Sequence, residues 1–255
     1  MKNILFSYPH SGLYVPPSVE SRLNISKNDL ILAMDFWTQE FFSGIDTIKV
    51  FSQLHFLFWN LNRNITGKHL LTRELYNEAN GLFPNEIASS GKPIYKEWQE
   101  LSHDEQWELL ENYYKPYYEK LIDLVLSGKV DFVVDVHSCD PESSGKQKGT
   151  GKRSDIILGN LWDANGEINP NKWYITFDTP LIQQLKTLLE AHWLTVSLNS
   201  PFSGGNITQQ IGEMIPTLQI EVNKRVYMTD DLLSVDREKF QRVNQILEQA
   251  ITSID

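Results

Sequence analysis

The sequence lacks several features that define large classes of proteins. It has one cysteine, Cys139, in 255 residues, which excludes an internal disulfide framework and any cysteine-rich zinc or iron–sulfur site. It has no apolar run of membrane-spanning length. The apolar stretch between Met1 and Tyr8 is too short for a signal peptide. We therefore expect a cytoplasmic protein.

Basic residues and common catalytic motifs are also scarce. Lys and Arg number 23 against 33 Asp and Glu, for a formal net charge of -10, which repels phosphate backbones and anionic membranes. A small-molecule substrate is the expected partner, rather than nucleic acid or a membrane. The sequence has no Gly-x-Ser-x-Gly, Walker loop or Gly-x-Gly-x-x-Gly motif. Assignment to the serine α/β-hydrolases, the phosphate-loop proteins or the dinucleotide-binding enzymes therefore lacks its usual sequence evidence.

The composition predicts one globular domain over residues 1–255. Hydrophobic residues make up 41% and charged residues 22%, as in soluble globular proteins of a size that buries one core. Apolar runs alternate with helical patterns, which predicts an α/β sandwich with a mixed, mainly parallel sheet. The predicted strands are 4–8, 48–51, 56–59, 130–136, 155–159, 195–198 and 217–226.

Four helices are predicted between these strands from capping residues and apolar spacing. One is capped by Ser26 and continues almost to Gly44, and a second spans 104–126, where Pro116 implies either a kink or two abutting helices. A third begins after Asp178, and a fourth runs from a Ser234 cap to about residue 251. Between about 65 and 102 the chain has no sustained periodicity, which predicts a surface excursion or lid of the kind that often covers a site.

Two histidines follow predicted buried strands directly. His10 comes after the strand 4–8 and His137 after the strand 130–136, where open α/β sheets gather their ligand sites. Two neutral imidazoles and one carboxylate form a typical catalytic zinc set. Asp135 shares the strand face of His137 and is a candidate to orient that ring, although it can equally cap the next loop.

Glu221 is the second candidate, because a carboxylate inside a well-patterned core strand is costly to bury without a function. In a metal hydrolase such a glutamate moves a proton from water to the leaving amine. The alternative is a wet sheet edge, with Lys224 or Arg225 as its partner. Arg63 follows a predicted strand and is suited to clamp a substrate carboxylate, although a lone loop arginine is more often a surface residue.

Eight blocks in order resemble the N-formylglutamate amidohydrolase family over residues 4–245. The most specific pair is Pro-His-Ser-Gly around His10 and Asp-x-His-Ser around His137. The blocks are 7–12, Asn62-Arg63, 81–84, 114–117, 135–138, 153–159, 199–205 and 219–228. That family looks like a branch of the zinc carboxypeptidase and aspartoacylase group, with a phosphorylase/hydrolase-like three-layer α/β/α fold. It hydrolyses the amide of N-acylated acidic amino acids such as N-formylglutamate.

The resemblance implies one Zn²⁺ per chain and a set of site residues. It implies His10 and His137 as zinc ligands, but Leu13 stands where the carboxypeptidase pattern has its ligating glutamate. Asp35 matches an aspartate block of the amidohydrolases and is the candidate third ligand, with Glu40 as the alternative. It implies Glu221 as the general base. The implied substrate-binding residues are Asn62, Arg63, Arg153 as an oxyanion donor, Asn199, Gly204 and Gly205.

The sequence leaves some alternatives open. Tyr118 stands where the family usually has a histidine, and with the missing glutamate this motivates a binding protein of the same fold that lacks turnover. Deacylation of other N-acyl amino acids and carboxypeptidase-like cleavage are alternative chemistries. Histidine and carboxylate ligands suit zinc, cobalt, manganese and iron. A Cys139 nucleophile is disfavoured, because neighbouring residues of a strand point to opposite faces.

Overall fold

The computed structural model describes residues 2–65, 81–161 and 174–254. These residues form strands and helices that alternate along much of the chain. The strands are β1 (Ile4–Tyr8), β2 (Ile48–Phe51), β3 (Phe132–Cys139), β4 (Ile156–Gly159), β5 (Val196–Leu198) and β6 (Thr217–Asn223). The helices are α1 (Pro17–Glu20), α2 (Lys27–Ala33), α3 (His103–Leu109), α4 (Lys115–Leu126), α5 (Thr179–Glu190), α6 (Asn206–Gly212) and α7 (Arg237–Thr252).

The strands form one sheet in the order β2-β1-β3-β6-β4-β5. β1, β2, β3 and β6 are parallel, β4 pairs with β6 in the antiparallel sense, and β5 runs parallel to β4. Apolar residues from both faces of the sheet pack under helices, in two separate clusters. The predicted α/β fold with a mixed, mainly parallel sheet is confirmed.

This topology brings several segments to one edge of the sheet. β1, β3 and β6 end at this edge, and β4 begins there because it runs in the opposite direction, with Ile156 paired to Val222. The loop that precedes β4 therefore reaches the same edge. By the same geometry, the carboxyl ends of β4 and β5 lie at the opposite edge of the sheet.

On one face of the sheet, polar side chains lie side by side near this edge. Ser7, Asp135 and Gln219 occupy matching positions on β1, β3 and β6, and His137 pairs in register with Glu221. Nearer the amino ends of these strands, the same face carries Leu5 and Val133, which pack into the apolar core. The face therefore changes from apolar to polar along the strands.

The predicted strand 56–59 is wrong. These residues form a turn, in which the amide groups of Phe58 and Trp59 bond to the carbonyl groups of His55 and Phe56. The apolar run is buried because it packs into the core from the turn. Burial produced the apolar pattern here, and strand pairing did not.

The predicted helix that continues almost to Gly44 is also wrong. α2 ends at Ala33, and Met34 is extended. Trp37 has a left-handed backbone with φ 68° and precedes a short 3-10 turn at Thr38–Glu40. The capping box between Ser26 and Asp29 forms as predicted. Because α2 ends early, the chain turns after Ala33 and Asp35 is directed towards the sheet. In a longer helix Asp35 would lie on its surface.

Smaller differences concern the ends of elements. β3 continues to Cys139, so His137 lies inside a strand rather than after it. β6 ends at Asn223 and is followed by a 3-10 turn. The last helix is capped by Asp236, whose carboxylate accepts two backbone N–H bonds, and not by Ser234. At the kink near Pro116, a π-helical segment over residues 110–114 joins α3 to α4.

Part of the predicted excursion at about 65–102 can be located. Residues 66–80 lie outside the described residues, whereas Leu82 and Ile94 are buried in the core. Ile87, Ala88 and Ser89 line the cavity described below. Within the three described ranges, no helix has the length and apolar character needed to cross a membrane.

Candidate active site

Two histidines and one aspartate converge at the carboxyl ends of β1 and β3. His10 lies two residues after β1, and His137 is near the end of β3. Their rings are 4.7 Å apart between centroids and nearly perpendicular. Asp35 enters from the turn after α2, and its Oδ2 atom is 3.3 Å from His10 Nδ1 and 3.1 Å from His137 Nδ1. One donor atom from each residue lies within 4.8 Å of the others.

The outer nitrogen of each imidazole is held by a second residue. His10 Nε2 is 2.9 Å from Asn60 Oδ1, and His137 Nε2 is 3.1 Å from Asp135 Oδ2. Asn62 Nδ2 also lies 3.1 Å from His137 Nε2. Because the amide nitrogen of Asn62 can only donate, we assign the Nε2 proton to the bond with Asp135. Each Nδ1 atom lies within hydrogen-bond distance of Asp35 Oδ2 and can donate a proton to it.

Asp135 is itself fixed by hydrogen bonds within the core. It is fully buried. Ser7 Oγ donates to its Oδ1 atom at 3.0 Å, and Thr208 Oγ1 donates to Oδ2 at 3.2 Å. Tyr117 Oη is 2.9 Å from Ser7 Oγ and extends the chain of bonds into α4. These bonds restrict the carboxylate, and through it the His137 ring, to one orientation.

The neighbours of Asp35 and His137 shift the pKa values of these two groups in opposite directions. Although burial opposes it, hydrogen bonds from His10 and His137 hold the pKa of Asp35 well below its usual range. Burial also opposes the shift at His137, but the negative charge of Asp135 and hydrogen bonds to Asp135 and Asp35 raise its pKa well above the usual value. The site therefore favours positive charge among its carboxylates, which a divalent cation can also supply.

Glu221 faces the same space from β6, next to His137 in register. Gln219 Nε2 donates to its Oε1 atom at 3.0 Å. Burial raises the pKa of Glu221 to about 8 against the positive charge of His137, and the negative charges of Asp35 and Asp135 add to the shift. A carboxyl group with such a pKa can accept and release a proton near neutral pH.

The alternative that Glu221 lies on a solvent-exposed outermost strand is wrong. β6 lies inside the sheet, between β3 and β4. Lys224 Nζ donates to Asp140 Oδ1 at 2.7 Å, and Arg225 Nε donates to Asp155 Oδ1 at 2.8 Å. Neither cation is therefore the ion-pair partner of Glu221.

These groups open into a cavity of about 180 Å³. Arg63 lines it, and its Nη1 atom donates to Asn62 O at 2.8 Å while Tyr114 Oη donates to the Arg63 carbonyl at 3.0 Å. The cavity brings together most of the residues that the sequence singled out. They are His10, Asp35, Asn62, Arg63, His137, Arg153, Gly204, Gly205 and Glu221.

The glycines of the cavity wall permit close packing. A Cβ atom on Gly205 would lie 2.0 Å from Asn62 Nδ2, so only glycine lets the Asn62 amide reach both the Ile207 N–H, at 3.0 Å, and His137. Gly204 has a φ of +134°, which side chains rarely adopt. The Gly205 N–H donates to Gln219 Oε1 at 2.7 Å. The loop before α6 is thereby tied to the residue that holds Glu221.

Arg153 is largely engaged within its own loop. Its Nη1 atom donates to Asp140 O at 3.0 Å, and Nη2 donates to Gln147 Oε1 at 3.2 Å and to Lys148 O at 3.1 Å. The guanidinium also lies over the ring of Phe202, 5.2 Å from its centroid. Its buried Nε atom has no hydrogen-bond partner among the described residues.

Two sequence candidates, and the tyrosine at position 118, lie elsewhere. Asn199 is not among the described residues that line the cavity, because it follows β5 at the opposite edge of the sheet, where its Oδ1 accepts the Asn160 N–H at 2.9 Å. Glu40 lines a different cavity, together with Trp37. Tyr118 is buried behind the site and donates to Leu61 O at 2.8 Å. The tyrosine at position 118 therefore supports the turn that carries Asn62.

Sequence reasoning missed three residues of this region. Asn60 holds His10, Gln219 holds Glu221, and Lys148 lines the cavity. Gln219 had a visible signal, because it shares a strand face with Glu221. Asn60 and Lys148 lie in irregular segments, where side-chain direction does not follow from residue spacing.

The donor set suits a divalent metal. Two imidazoles and one carboxylate are typical of catalytic zinc sites that keep a position open for water. Here both Nδ1 atoms point at one carboxylate oxygen, and both outer nitrogens have fixed partners, as metal-binding histidines usually have. His10, Asp35 and His137 are the residues that can hold the ion.

Comparison with known proteins gives a consistent result. The model of a family described as N-formylglutamate amidohydrolase matches residues 2–228. A crystal structure of N-formylglutamate amidohydrolase from Ralstonia eutropha is similar with a TM-score of 0.76 and 20% identity, covering 98% of this chain and 91% of that one. A gene product of Agrobacterium tumefaciens has a TM-score of 0.66 and 15% identity, covering 99% and 92%. The comparison with curated protein sequences found no match.

Proposed function

The chain belongs to the N-formylglutamate amidohydrolase family, and we propose that it is a zinc-dependent hydrolase that cleaves the amide of an N-acyl acidic amino acid such as N-formylglutamate. The observation that carries the proposal is the convergence of His10 Nδ1, Asp35 Oδ2 and His137 Nδ1 beside the buried Glu221. The cavity at these residues has room for a small molecule.

In this proposal His10, Asp35 and His137 hold the ion. A bound Zn²⁺ would supply a water molecule with a pKa of about 7 and polarise the acyl oxygen. Asn60 and Asp135 accept from the Nε2–H groups of the two imidazoles, so that loss of the Nδ1 protons on metal binding would leave both Nδ1 lone pairs facing the ion. The chain therefore presents these donors already oriented, without rearrangement on binding.

Glu221 is the proposed proton carrier. Hydrolysis places the water oxygen on the acyl carbon, breaks the carbon–nitrogen bond and delivers a proton to the leaving amine. Glu221 would accept the proton from water and pass it to that nitrogen. The Gln219 Nε2–H bond leaves the second carboxylate oxygen of Glu221 available for this transfer.

Arg63 is the proposed partner of a substrate carboxylate. Its guanidinium lines the cavity, and the fork of N–H donors matches a carboxylate in a bidentate pair. The backbone of Arg63 is fixed by Tyr114. The positive charge supports an acidic substrate rather than a neutral one.

The test is to assay the purified protein, before and after Zn²⁺ is added, for release of formate from N-formylglutamate. We expect hydrolysis that follows metal content. Glu221→Gln should lower kcat by about 10²- to 10⁴-fold and retain the metal, because Glu221 is not among the ligands.

The exposed Glu97→Gln variant is the matched control and should retain the wild-type rate. Hydrolysis by Glu221→Gln at the wild-type rate would exclude the proposed role of Glu221. Saturable binding of N-formylglutamate by zinc-loaded wild type without any product would instead support the alternative of a binding protein.

A further inference from the structure

We propose that Lys148 is a specificity-determining residue, whose ammonium group binds the side-chain carboxylate of an acidic substrate while Arg63 binds the α-carboxylate. The inference rests on the proposed function and assigns a second cation to the same cavity. The sequence gives no indication of it, because Lys148 lies in a polar, glycine-rich loop between β3 and β4.

The backbone of Lys148 is held in place. Its carbonyl accepts hydrogen bonds from Arg153 Nη2 at 3.1 Å and Ser143 Oγ at 3.2 Å. The same guanidinium binds Asp140 O, at the start of the loop. Arg153 therefore clamps both sides of the loop from its buried position, and this fixes where the Lys148 side chain begins.

The side chain of Lys148 reaches the cavity but is not used by the fold. Lys148 lines the cavity together with Arg63, and its Nζ atom has no hydrogen bond or ion pair within residues 2–65, 81–161 and 174–254. The other lysines of the region differ, since Lys146 pairs with Glu86 and Lys224 with Asp140. Lys152, in the same loop, also has no side-chain hydrogen bond or ion pair within the described ranges, but it does not line the cavity, so Lys148 is the lysine of this loop that can meet a ligand there.

The charges around Lys148 support an anion site. Although the residue as a whole is exposed, the cavity partly desolvates its ammonium group and lowers its pKa, and the positive charge of Arg63 lowers it further, against the opposite effect of Glu221. An anion between two such cations relieves their repulsion. Arg63 and Lys148 together therefore favour a carboxylate more than either does alone.

The relative depth of the two cations assigns the two carboxylates. Arg63 is half-buried beside Asn62, whereas Lys148, which also lines the cavity, is exposed. In an N-acyl amino acid the α-carboxylate is close to the scissile amide, and the side-chain carboxylate is farther away. The inner cation therefore matches the α-carboxylate, and the outer cation matches the side chain.

The test compares N-formylglutamate with N-formylglutamine, which has nearly the same shape but no side-chain charge. For wild type we expect a higher kcat/KM for the acid. Lys148→Met should lower the acid-to-amide ratio of kcat/KM by about tenfold to a hundredfold, the value of one charge-assisted hydrogen bond, mainly through KM. Lys148→Arg should keep most of the preference, and the exposed Lys152→Met should leave the ratio unchanged.

An unchanged ratio in Lys148→Met, with thermal unfolding as in wild type, overturns the inference. Calorimetric titration of the same two compounds into zinc-loaded protein gives a second measurement. If wild type hydrolyses neither compound, the proposed function fails, but a preference for binding the acid that Lys148→Met removes still supports the carboxylate site. No preference by either measurement rejects it.

Discussion

The two sides of the candidate site are built differently. The floor, defined as His10, Asp35, His137 and Glu221, is mostly buried, with His137 2% exposed and Asp35 and Glu221 each 7% exposed. The rim, defined as Arg63 and the loop 140–153, is more accessible, and its loop is held by hydrogen bonds from the Arg153 side chain to backbone carbonyl groups. His137 and Glu221 lie on strands, and His10 and Asp35 lie in turns packed at the end of the sheet, whereas the groups that would select a substrate lie in more exposed loops. Loop residues can therefore change without disturbing the floor.

The strongest test of this contrast is removal of a ligand from the floor. His137→Ala should lower metal affinity by more than about a hundredfold, because substitutions of supporting residues alone cost 10- to 100-fold. It also leaves Asp35 and Asp135 without their shared partner, so the free energy of unfolding should fall by about 3–5 kcal/mol. Elemental analysis after dialysis and urea unfolding measure the two effects.

His10→Ala provides a second ligand variant at a less buried position, and the exposed His192→Ala is the matched control. The control should retain metal and stability. One zinc per chain in His137→Ala after dialysis would contradict the ligand assignment.

A smaller effect is expected one layer behind the ligands. Asp135→Asn keeps the shape of the side chain but removes the charge that orients His137 Nε2, so metal affinity should fall by about 10- to 100-fold. Thr208→Val removes a different bond to the same carboxylate and should change affinity much less. Equal losses in the two variants, measured by competition with a chelator, would mean that Asp135 acts through general stability.

The close packing of the cavity wall, between floor and rim, can be tested at Gly205. Gly205→Ala places a methyl group 2.0 Å from Asn62 Nδ2, and this overpacking should cost about 1–3 kcal/mol of unfolding free energy and raise KM. Gly44→Ala is the comparison, because its new Cβ meets only the flexible end of Glu248. Urea unfolding should show the larger loss for Gly205→Ala, and the reverse order would rule out the packing explanation.

The smallest effect is expected away from both regions, at the start of α2. A hydrogen bond from Lys92 and bonds from Ser26 lower the pKa of Asp29 to about 2 from 3.8. A depressed carboxyl pKa adds stability above the unfolded-state pKa and loses it as pH falls towards the folded-state value. Asp29→Asn should therefore cost less than about 1 kcal/mol at pH 7, and the difference from wild type should shrink from about pH 4 downwards.

Unfolding by urea at several pH values measures this difference, with the surface variant Asp46→Asn as control. A difference that grows as the pH falls would contradict the assigned sign.

Much of the sheet could be predicted from the sequence, because β-branched runs that are buried on both faces differ clearly from helical spacing. Residues 132–136 and the alternation at Gln219 and Glu221 are the clearest cases. The position of His10 follows from the end of β1. In these segments the period of the backbone determines where each side chain points.

The remaining parts depend on contacts between distant segments. Residues 56–59 are apolar because a turn is buried, and no local pattern separates that from a strand. The helical spacing of Leu30, Met34 and Trp37 continues past Ala33, where α2 ends because the core takes up Met34 and the sheet edge takes up Asp35. Tertiary contacts override local propensity at this turn.

The turn after α2 places Asp35 beside a residue that is remote from it in the chain. Asp35 and His137 are 102 positions apart in the chain, so an ion that binds both acts as a crosslink between remote segments. The unfolded chain cannot offer these donors together, and binding is therefore coupled to folding. A ligand at a hundred times its Kd raises the free energy of unfolding by about 2.7 kcal/mol. Melting temperature can thus report occupancy of the site before any substrate has been identified.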